Sequence, residues 1–144
     1  MTDTIKRIIE KLNLEPHPEG GYYRETYRCK HHTFVGDGDT IRNLSTAIYF
    51  LVPQGVQTNW HRVSSDEMWH YYAGAPLTLD MKEADGTEQT VTLGPLDDAA
   101  AEPQFLIPAH AWQRAATTGE YTLVGCTVSP GFDFEDFEMT EGDV

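Results

Sequence analysis

From Tyr22 onward the chain is built of short segments in which apolar and polar residues alternate, and this pattern constrains the fold more than any other feature. Clear examples are YYRETYR, STAIYFLV, PLTLDMKE and EQTVTLG, with Gly, Pro or Asp between such segments. Alternation of this kind is typical of half-buried β-strands. Asp85 and Gly86 separate two of the segments and predict a hairpin turn. Many short strands at regular spacing predict a β-sandwich or a barrel.

One helix is expected before the strands. Its apolar positions are Ile5, Ile8, Ile9 and Leu12. This spacing is helical, and Thr2 or Asp3 is available as the N-terminal cap. The chain has 144 residues, a typical length for one domain, and contains no internal repeat or linker. We therefore expect a single all-β domain over residues 1–144 with one short N-terminal helix.

The charge balance excludes two classes of partner. Asp and Glu number 23 against 10 Lys and Arg, which gives a formal net charge of −13. Because an acid excess repels phosphates, we expect neither nucleic acid nor an anionic membrane as a partner. The segment MTDTIKRIIEK has no long apolar core of the kind found in signal peptides. We expect a cytoplasmic protein whose acidity reflects either solubility or adaptation to high salt.

The residues most suited to catalysis or metal binding lie in one segment framed by two glycines. His61 and Glu67 are residue types that bind metals or move protons. Because side chains two apart in a strand share a face, His61 and Val63 should point the same way, as should Glu67 and Trp69. A turn at 64–66 would form a hairpin in which His61 faces Glu67. The alternative is a hydrogen-bonded surface histidine beside a solvated turn carboxylate.

Further residues could line a pocket beside this pair. Trp69, Tyr71 and Trp112 would give flat apolar walls suited to stacking against a ring-containing ligand. Tyr23 and Arg24 lie in a strand able to line the mouth of a barrel, where Arg24 would anchor a phosphate or carboxylate. The alternative for the aromatic residues is core packing. The alternative for Arg24 is a pairing with the neighbouring glutamate at a sheet edge.

Four segments resemble one family of the cupin superfamily, the fifth cupin-like group, long catalogued as a domain of unknown function. They are HPEGGYYRETYR from His17, RNLSTAIYFLV from Arg42, WHRVSSDEMWHYYAGAPL from Trp60 and YTLVGCTVSPGFDFEDFE from Tyr121. The resemblance implies a double-stranded β-helix, a small jelly roll with a ligand cavity inside the barrel, in a protein that is usually dimeric. It also implies a likeness in fold to the epimerases that make rhamnose-type deoxysugars, which transfers function only weakly.

The chain departs from the cupin pattern of metal ligands. The two cupin motifs have histidines at the positions that Val63 and Gln113 occupy here. The donors that remain, His61, Glu67 and Gln113, are weak for zinc, whereas iron, manganese or nickel would tolerate them with water. His70 should point to the face opposite Glu67. We expect no tightly bound metal and no other cofactor, with a divalent metal on His61, Glu67 and Gln113 as the alternative.

Two segments bear on ligand access and assembly. Phe132, Phe134 and Phe137 are expected to pack the C-terminal segment against the barrel, and the family resemblance gives that segment a second interpretation as a lid. The strand from Tyr22 to Arg28 is expected at a sheet edge, where it would pair with a partner in a two-fold homodimer.

Three functional hypotheses stay open. The first is isomerisation or epimerisation of a small polar ring-containing ligand, such as a sugar or nucleotide sugar, by metal-independent proton transfer. The second is a metal-dependent cupin enzyme, and the third is a non-catalytic ligand-binding or sensor module. Under the first hypothesis the catalytic residues are His61 and Glu67. The ligand-binding residues are then Tyr23, Arg24, Trp69, Tyr71, Trp112 and Gln113.

Overall fold

The computed structural model describes residues 1–144 and begins with one α-helix, α1, at Asp3–Leu12. The predicted helix is confirmed, and of its two candidate caps the structure uses Thr2, whose hydroxyl accepts a hydrogen bond from the Ile5 N–H at 3.3 Å. Ile5 of α1 packs against Leu51 of the sheet behind it. The helix is too short and too polar to cross a membrane.

Thirteen β-strands follow the helix. In chain order they are β1 (Glu15–Pro16), β2 (Tyr22–Arg28), β3 (His32–Val35), β4 (Thr40–Asn43), β5 (Thr46–Pro53), β6 (Trp60–Arg62), β7 (Asp66–Gly74), β8 (Leu77–Lys82), β9 (Glu88–Leu93), β10 (Gln104–Ile107), β11 (Trp112–Thr117), β12 (Tyr121–Ser129) and β13 (Glu138–Thr140). A short 3₁₀ helix, Phe134–Asp136, precedes β13. The mostly-β fold with one short helix is as predicted.

The strands form two main sheets that enclose the core. One has the order β1-β2-β5-β12-β7-β10 and the other β13-β6-β11-β8-β9, while β3 and β4 form a separate hairpin. Every pair of neighbouring strands is antiparallel, which is consistent with a jelly roll. The buried core contains Phe50, Trp69, Leu79 and Val124, contributed by both sheets. The space between the sheets therefore has to contain both the core and any cavity.

One predicted hairpin is confirmed and the other is wrong. β8 and β9 pair on either side of Gly86, whose φ of 89° lies in the left-handed region that glycine accepts readily. β6 and β7 do not pair: β6 lies between β11 and β13, and β7 lies between β10 and β12. Residues 63–65 carry the chain from one sheet to the other. His61 and Glu67 still meet, because the inner faces of the two sheets line one cavity.

Candidate active site

A cavity of about 400 Å³ lies between the sheets. Its lining consists of the acidic residues Glu15, Glu19, Glu25, Glu67 and Asp133; the basic residues His17, Arg28 and His61; the aromatic residues Tyr23, Phe50, Phe132, Phe134 and Phe137; and Thr46, Ile48, Val63, Cys126 and Val128. Carboxylates and aromatic rings therefore dominate its surface. The predicted pair, His61 and Glu67, lines this cavity together with Val63.

The imidazole of His61 is held in one orientation. His61 lies on β6 and is only 3% exposed. Its Nδ1 is 2.9 Å from the carbonyl oxygen of Asn59, and because a carbonyl only accepts, Nδ1 carries the proton. The ring of Phe137 stacks against it at 5.7 Å between centroids. Nε2 is thereby left facing Glu19, with 2.7 Å between Nε2 and the Glu19 Oε2 atom.

Glu19 reaches His61 from the loop between β1 and β2. Its carbonyl accepts a hydrogen bond of 2.8 Å from the Asn59 N–H, so the loop is tied to the segment that orients His61. The turn depends on Gly21, which has a φ of 77° and where a Cβ would lie 2.6 Å from the Leu51 carbonyl oxygen. No residue with a side chain fits there without displacing the backbone. The loop therefore brings Glu19 into the cavity by passing close to β5.

The contact between Glu19 and His61 is an ion pair with poor hydrogen-bond alignment. Oε2 of Glu19 is buried, and no N–H or O–H group of the protein points along a good hydrogen-bond direction to it. The two side chains are 4% and 5% exposed, so the charges attract strongly across a dry environment. The carboxylate is thus close to a cation but retains an unused acceptor direction.

Burial alone would lower the pKa of His61, but the Glu19 carboxylate and then Glu67 outweigh it and raise that pKa to about 9. His61 is therefore an imidazolium at neutral pH. Burial lowers the pKa of the neighbouring His17, with Glu19 opposing and His61 adding to the shift. His17 Nδ1 accepts a hydrogen bond of 3.1 Å from the Glu19 N–H, which requires that nitrogen to be unprotonated. The cavity thus holds one charged and one neutral histidine on either side of Glu19.

Glu67 faces the same cavity from β7 through a chain of buried side chains. Gln113 Nε2 donates to Glu67 Oε1 at 2.7 Å, and Gln113 Oε1 accepts from Trp69 Nε1 at 2.8 Å. Burial raises the pKa of Glu67, and Glu19 adds to this shift, while His61 and Gln113 oppose it. Burial likewise raises the pKa of Cys126 well above its ordinary value, so it lines the cavity as a thiol. Glu67 is therefore a carboxyl group poised to hold a proton.

The residues present do not fit the metal site described by the cupin motifs. Val63 lines the cavity but has no donor atom. Gln113 uses both ends of its amide on Glu67 and Trp69, so its oxygen is not free to coordinate. No three His, Cys, Asp or Glu side chains are arranged to hold a metal ion. The alternative ligand set of His61, Glu67 and Gln113 is therefore disfavoured by the hydrogen bonds of Gln113.

Of the two residues expected at the barrel mouth, Tyr23 lines the cavity and Arg24 does not. Alternation along β2 turns Tyr23 and Glu25 inward and Arg24 to the opposite face. There the Arg24 Nε donates to the Leu12 carbonyl at 2.6 Å, and the guanidinium lies over the Tyr49 ring. The expected anchoring of an anionic ligand by Arg24 is incompatible with this position. The position supports attachment of α1 to the sheet instead.

The remaining predicted ligand residues also lie outside the cavity lining. Trp69 shares a face with Glu67, as expected, but is buried in the core and donates to Gln113. The Tyr71 hydroxyl donates to the Gly74 carbonyl at 2.6 Å. Trp112 packs under the guanidinium of an arginine on β6, at 4.5 Å. Core packing, the alternative for these aromatic residues, describes Trp69, whereas Tyr71 and Trp112 are half-buried. Gln113 is bonded to Glu67 and Trp69.

His70 lies on the face opposite Glu67, as predicted. Its Nε2 is 3.0 Å from the Thr127 hydroxyl, and its Nδ1 is 3.1 Å from the Gln104 side chain. It therefore has no contact with the cavity.

The sequence reasoning missed His17 and Glu19 as site residues. Both lie in the Pro- and Gly-rich segment HPEGG, which indicates a loop but not the place it reaches. The available signal was the Gly-Gly pair directly after an acidic residue, since paired glycines permit a close approach of backbone to a sheet. To interpret that signal, the neighbouring strand must be identified, and the sequence does not identify it.

The C-terminal segment covers the cavity and is tied to the body by arginines. Phe132, Phe134 and Phe137 all line the cavity. Arg42 donates from Nε and Nη2 to the two Asp136 oxygens at 2.8 and 2.9 Å. Arg28 donates to the Phe132 carbonyl at 3.0 Å. The segment thus both packs on the barrel and forms one wall of the cavity.

A jelly roll with a ligand-sized cavity between its sheets defines a cupin-type protein. The family model described as "Cupin superfamily (DUF985)", Cupin_5, matches residues 6–140, and the chain belongs to this family. A hypothetical protein from Leishmania major has a similar structure, with a TM-score of 0.86 and 34% identity over 94% of this chain and 86% of that one. Protein SO0799 from Shewanella oneidensis has a TM-score of 0.84 and 40% identity over 97% and 85%.

Two further likenesses are more distant. The uncharacterised protein YML079W of Saccharomyces cerevisiae is 26% identical over 97% of this chain and 77% of its own length. Oxalate decarboxylase from Bacillus subtilis has a TM-score of 0.63 at 14% identity, over 86% of this chain and 29% of that chain. At this identity the likeness to the decarboxylase shows the fold alone.

Proposed function

We propose that this chain is a metal-independent cupin enzyme that isomerises or epimerises a small, polar, ring-containing ligand by proton transfer. The observation that carries the proposal is the buried pair of His61 and Glu19. Their side chains are 2.7 Å apart, and both line the cavity. An acid and a base next to each other in a cavity are what removal and return of a proton require.

The two groups have complementary roles in this proposal. His61 is the acid, since its raised pKa keeps Nε2 protonated at neutral pH and its bond to Asn59 fixes the ring. Glu19 is the base, because its Oε2 has an unused acceptor direction. Glu67, protonated more readily than an ordinary glutamate, can donate a hydrogen bond to a ligand oxygen. The phenylalanines of the C-terminal segment form an apolar wall beside these groups.

The charge of the cavity restricts the class of ligand that it can bind. Five acidic residues line it against Arg28 and the two histidines, and Arg28 is already paired with Glu25 at 2.6 Å. A diphosphate would be repelled by this surplus of carboxylates. Among the ligands suggested by the fold, a free sugar or similar ring therefore suits the cavity better than a nucleotide sugar.

Solvent exchange tests the proposal even while the product is unidentified. The protein, treated with EDTA, is incubated in D₂O with a panel of neutral monosaccharides and amino sugars, and loss of carbon-bound proton signals is followed by NMR. We expect exchange at one carbon with the wild-type protein and none with the double variant His61→Gln/Glu19→Gln. Glu88→Gln, which removes an exposed charge on β9, is the matched control and should exchange normally. Exchange that survives in the double variant, or that requires added metal, would contradict the proposal.

A non-catalytic binding module is the second candidate. The observation in its favour is the stacking of Phe137 on His61, which covers the ring that would have to reach a substrate. A compound that raises the melting temperature of the wild-type protein but exchanges no proton with solvent would favour this candidate over an enzyme.

We also propose a two-fold homodimer. β1 covers only Tyr22 and Tyr23 of β2, which leaves the Glu25–Arg28 stretch of that edge without a partner strand. Large apolar side chains are exposed on β2 and around the adjacent β3–β4 hairpin. They are Tyr27, Phe34, Ile41 and Leu44. An open edge beside apolar surface favours pairing with a second copy. Sedimentation at micromolar concentration should give a dimer, and Phe34→Asp should shift it towards monomer; a wild-type monomer contradicts the proposal.

A further inference from the structure

The acidic character of the cavity extends beyond the catalytic pair. Glu15, Glu25 and Asp133 line it in addition to Glu19 and Glu67. Arg28 is bound in two directions to Glu25, at 2.6 and 3.2 Å, and also to the Asn43 side chain at 2.8 Å. Its charge is therefore compensated by groups of the protein. Glu25 is paired with Arg28 and Glu19 with His61. Glu15 and Asp133 line the cavity without a cationic partner, and this remaining negative charge favours a positively charged ligand.

Three phenylalanine rings form a second feature of the cavity. Phe132 and Phe134 lie 4.8 Å apart at 83°, Phe132 and Phe137 lie 6.1 Å apart at 73°, and Phe134 and Phe137 lie 5.9 Å apart at 74°. The three rings are thus nearly perpendicular to one another, and we call this group the phenylalanine corner. Ring faces are negative in quadrupole, so any face of these rings that is not covered by a neighbouring ring attracts an organic cation.

Glu19 gives a third and independent indication. It is 4% exposed, and its Oε2 has no well-aligned hydrogen bond. A buried carboxylate oxygen without such a bond is costly unless a donor satisfies it. An N–H of a bound ligand would supply that donor.

We propose that the cavity is selective for an organic cation, a protonated amine carried on a small ring, with the nitrogen towards the carboxylates that line the cavity and the apolar part against the phenylalanine corner. This inference rests on the proposed function in that it assigns the ligand class of the same cavity. It requires binding alone, so it can be tested separately from proton transfer. Carboxylates and aromatic rings each favour the cation over a neutral compound of the same shape.

Benzylamine, benzyl alcohol and benzoate provide a matched test, since they share one ring and differ in charge. Their affinities for the wild-type protein are measured by calorimetry or NMR titration at neutral pH and fixed ionic strength. We expect benzylamine to bind at least roughly tenfold more tightly than benzyl alcohol, the equivalent of about 1.4 kcal/mol. Benzoate should show no saturable binding.

Two variants locate the origin of the preference. Glu19→Gln should reduce the ratio of benzylamine to benzyl alcohol affinity, whereas Glu88→Gln, with the same change of net charge, should not. Phe134→Leu keeps an apolar side chain but removes a ring, and it should reduce the ratio even if the Glu19 variant folds poorly. Phe34→Leu, at an exposed site outside the cavity, is its control.

The proposal is overturned if benzyl alcohol or benzoate binds as tightly as benzylamine. It is also overturned if none of the three binds at tens of millimolar, because a cavity of about 400 Å³ is large enough to admit one such ring. A preference unchanged in both Glu19→Gln and Phe134→Leu overturns it as well. Selective amine binding without solvent exchange would leave this inference standing and reject the enzyme; exchange on neutral sugars alone would do the reverse.

Discussion

The space between the two sheets has a dry half and a cavity half, and β12 runs through both. Val124 on this strand is fully buried in the core, whereas Cys126 and Val128, two and four residues further on, line the cavity. Leu77 and Leu79 of β8 have no exposed area in the dry half. The same inward-facing alternation thus serves both halves. The position of an inward-facing residue along the strand decides whether it packs in the core or lines the cavity. Alternation of apolar and polar residues does not reveal this position.

The two halves should also differ in what stabilises them. Aliphatic packing in the dry half contributes to stability through every buried methylene. The cavity half contains a buried ion pair, and such pairs add little net stability but are costly to break on one side. Substitutions in the two halves therefore test the comparison directly.

The largest effect is expected where one member of the ion pair is removed. His61→Gln leaves Glu19 as an uncompensated buried charge and should lower the free energy of unfolding by roughly 3–5 kcal/mol. The double variant His61→Gln/Glu19→Gln should recover most of this loss, because an amide pair carries no charge. Urea denaturation of the wild type and of all three variants gives the coupling energy. Additive losses in the double variant would show that the two residues do not act as a pair.

A somewhat smaller effect is expected from truncation in the dry half. Leu79→Ala should lower the free energy of unfolding by about 2–5 kcal/mol, because a fully packed site cannot collapse around the lost atoms. Val63→Ala, at the edge of an existing cavity, should cost roughly 1 kcal/mol. Benzylamine binding should change little in Leu79→Ala at a temperature where the variant is folded. Equal costs for the two substitutions would remove the distinction between the halves.

The sequence predicted the fold well because alternation and turn residues are local signals. It predicted α1, the strand-rich body and the hairpin at Gly86, all of which the structure confirms, and it left the cap of α1 open between Thr2 and Asp3. The sequence also predicted that His61 and Glu67 face one cavity, but from a hairpin that does not form. A turn within a sheet and a crossing between sheets have the same sequence pattern over residues 63–65. Spacing along a chain limits distance but not the sheet to which each strand belongs.

The site was predicted less completely, because its main partner comes from a loop. Glu19 lies 42 positions before His61 in the sequence and reaches it only because Gly21 allows the loop to pass against β5. Arg24 and Trp112 were assigned to the pocket on residue type, but alternation turns each of them away from it. The expectation of weak metal donors had a physical basis in Val63, and the structure adds that Gln113 is fully engaged. The type of a residue therefore indicated what chemistry it could perform, but only the three-dimensional fold showed whether its side chain reaches the cavity.

The pH dependence of stability should be a property of the cavity half. The pKa of His61 is raised from an unfolded value of 6.5 to about 9. The folded state therefore binds the proton more tightly. The resulting stabilisation is complete below about pH 6.5 and is lost as the pH rises through about 9. It should amount to on the order of 3 kcal/mol.

Urea denaturation between about pH 6 and pH 10 measures this slope. The wild-type free energy of unfolding should fall over this range. The double variant His61→Gln/Glu19→Gln should lack the fall between about pH 6.5 and pH 9. It should keep only the loss above about pH 9 that the raised pKa of the buried Cys126 contributes, while Leu79→Ala should retain the whole fall on a lower baseline. Parallel slopes in the wild type and the double variant would assign the dependence to other groups.

Rebuilding one metal ligand in the cavity half should change metal affinity, and the expected gain is small. Val63 lines the cavity two residues from His61 on the same face, so Val63→His adds a second imidazole where the cupin motif has one. Nickel affinity should rise by roughly tenfold over the wild-type protein, about 1.4 kcal/mol. A larger gain is not expected, because Gln113 is held by Glu67 and Trp69 and His61 by Glu19.

Calorimetric titration with Ni²⁺ measures the change, and Val35→His on the β3–β4 hairpin controls for an added surface histidine. Affinity equal to that control would show that position 63 and His61 cannot share an ion, and tight binding by the wild type itself would mean that the Glu19 pair opens readily to admit a metal.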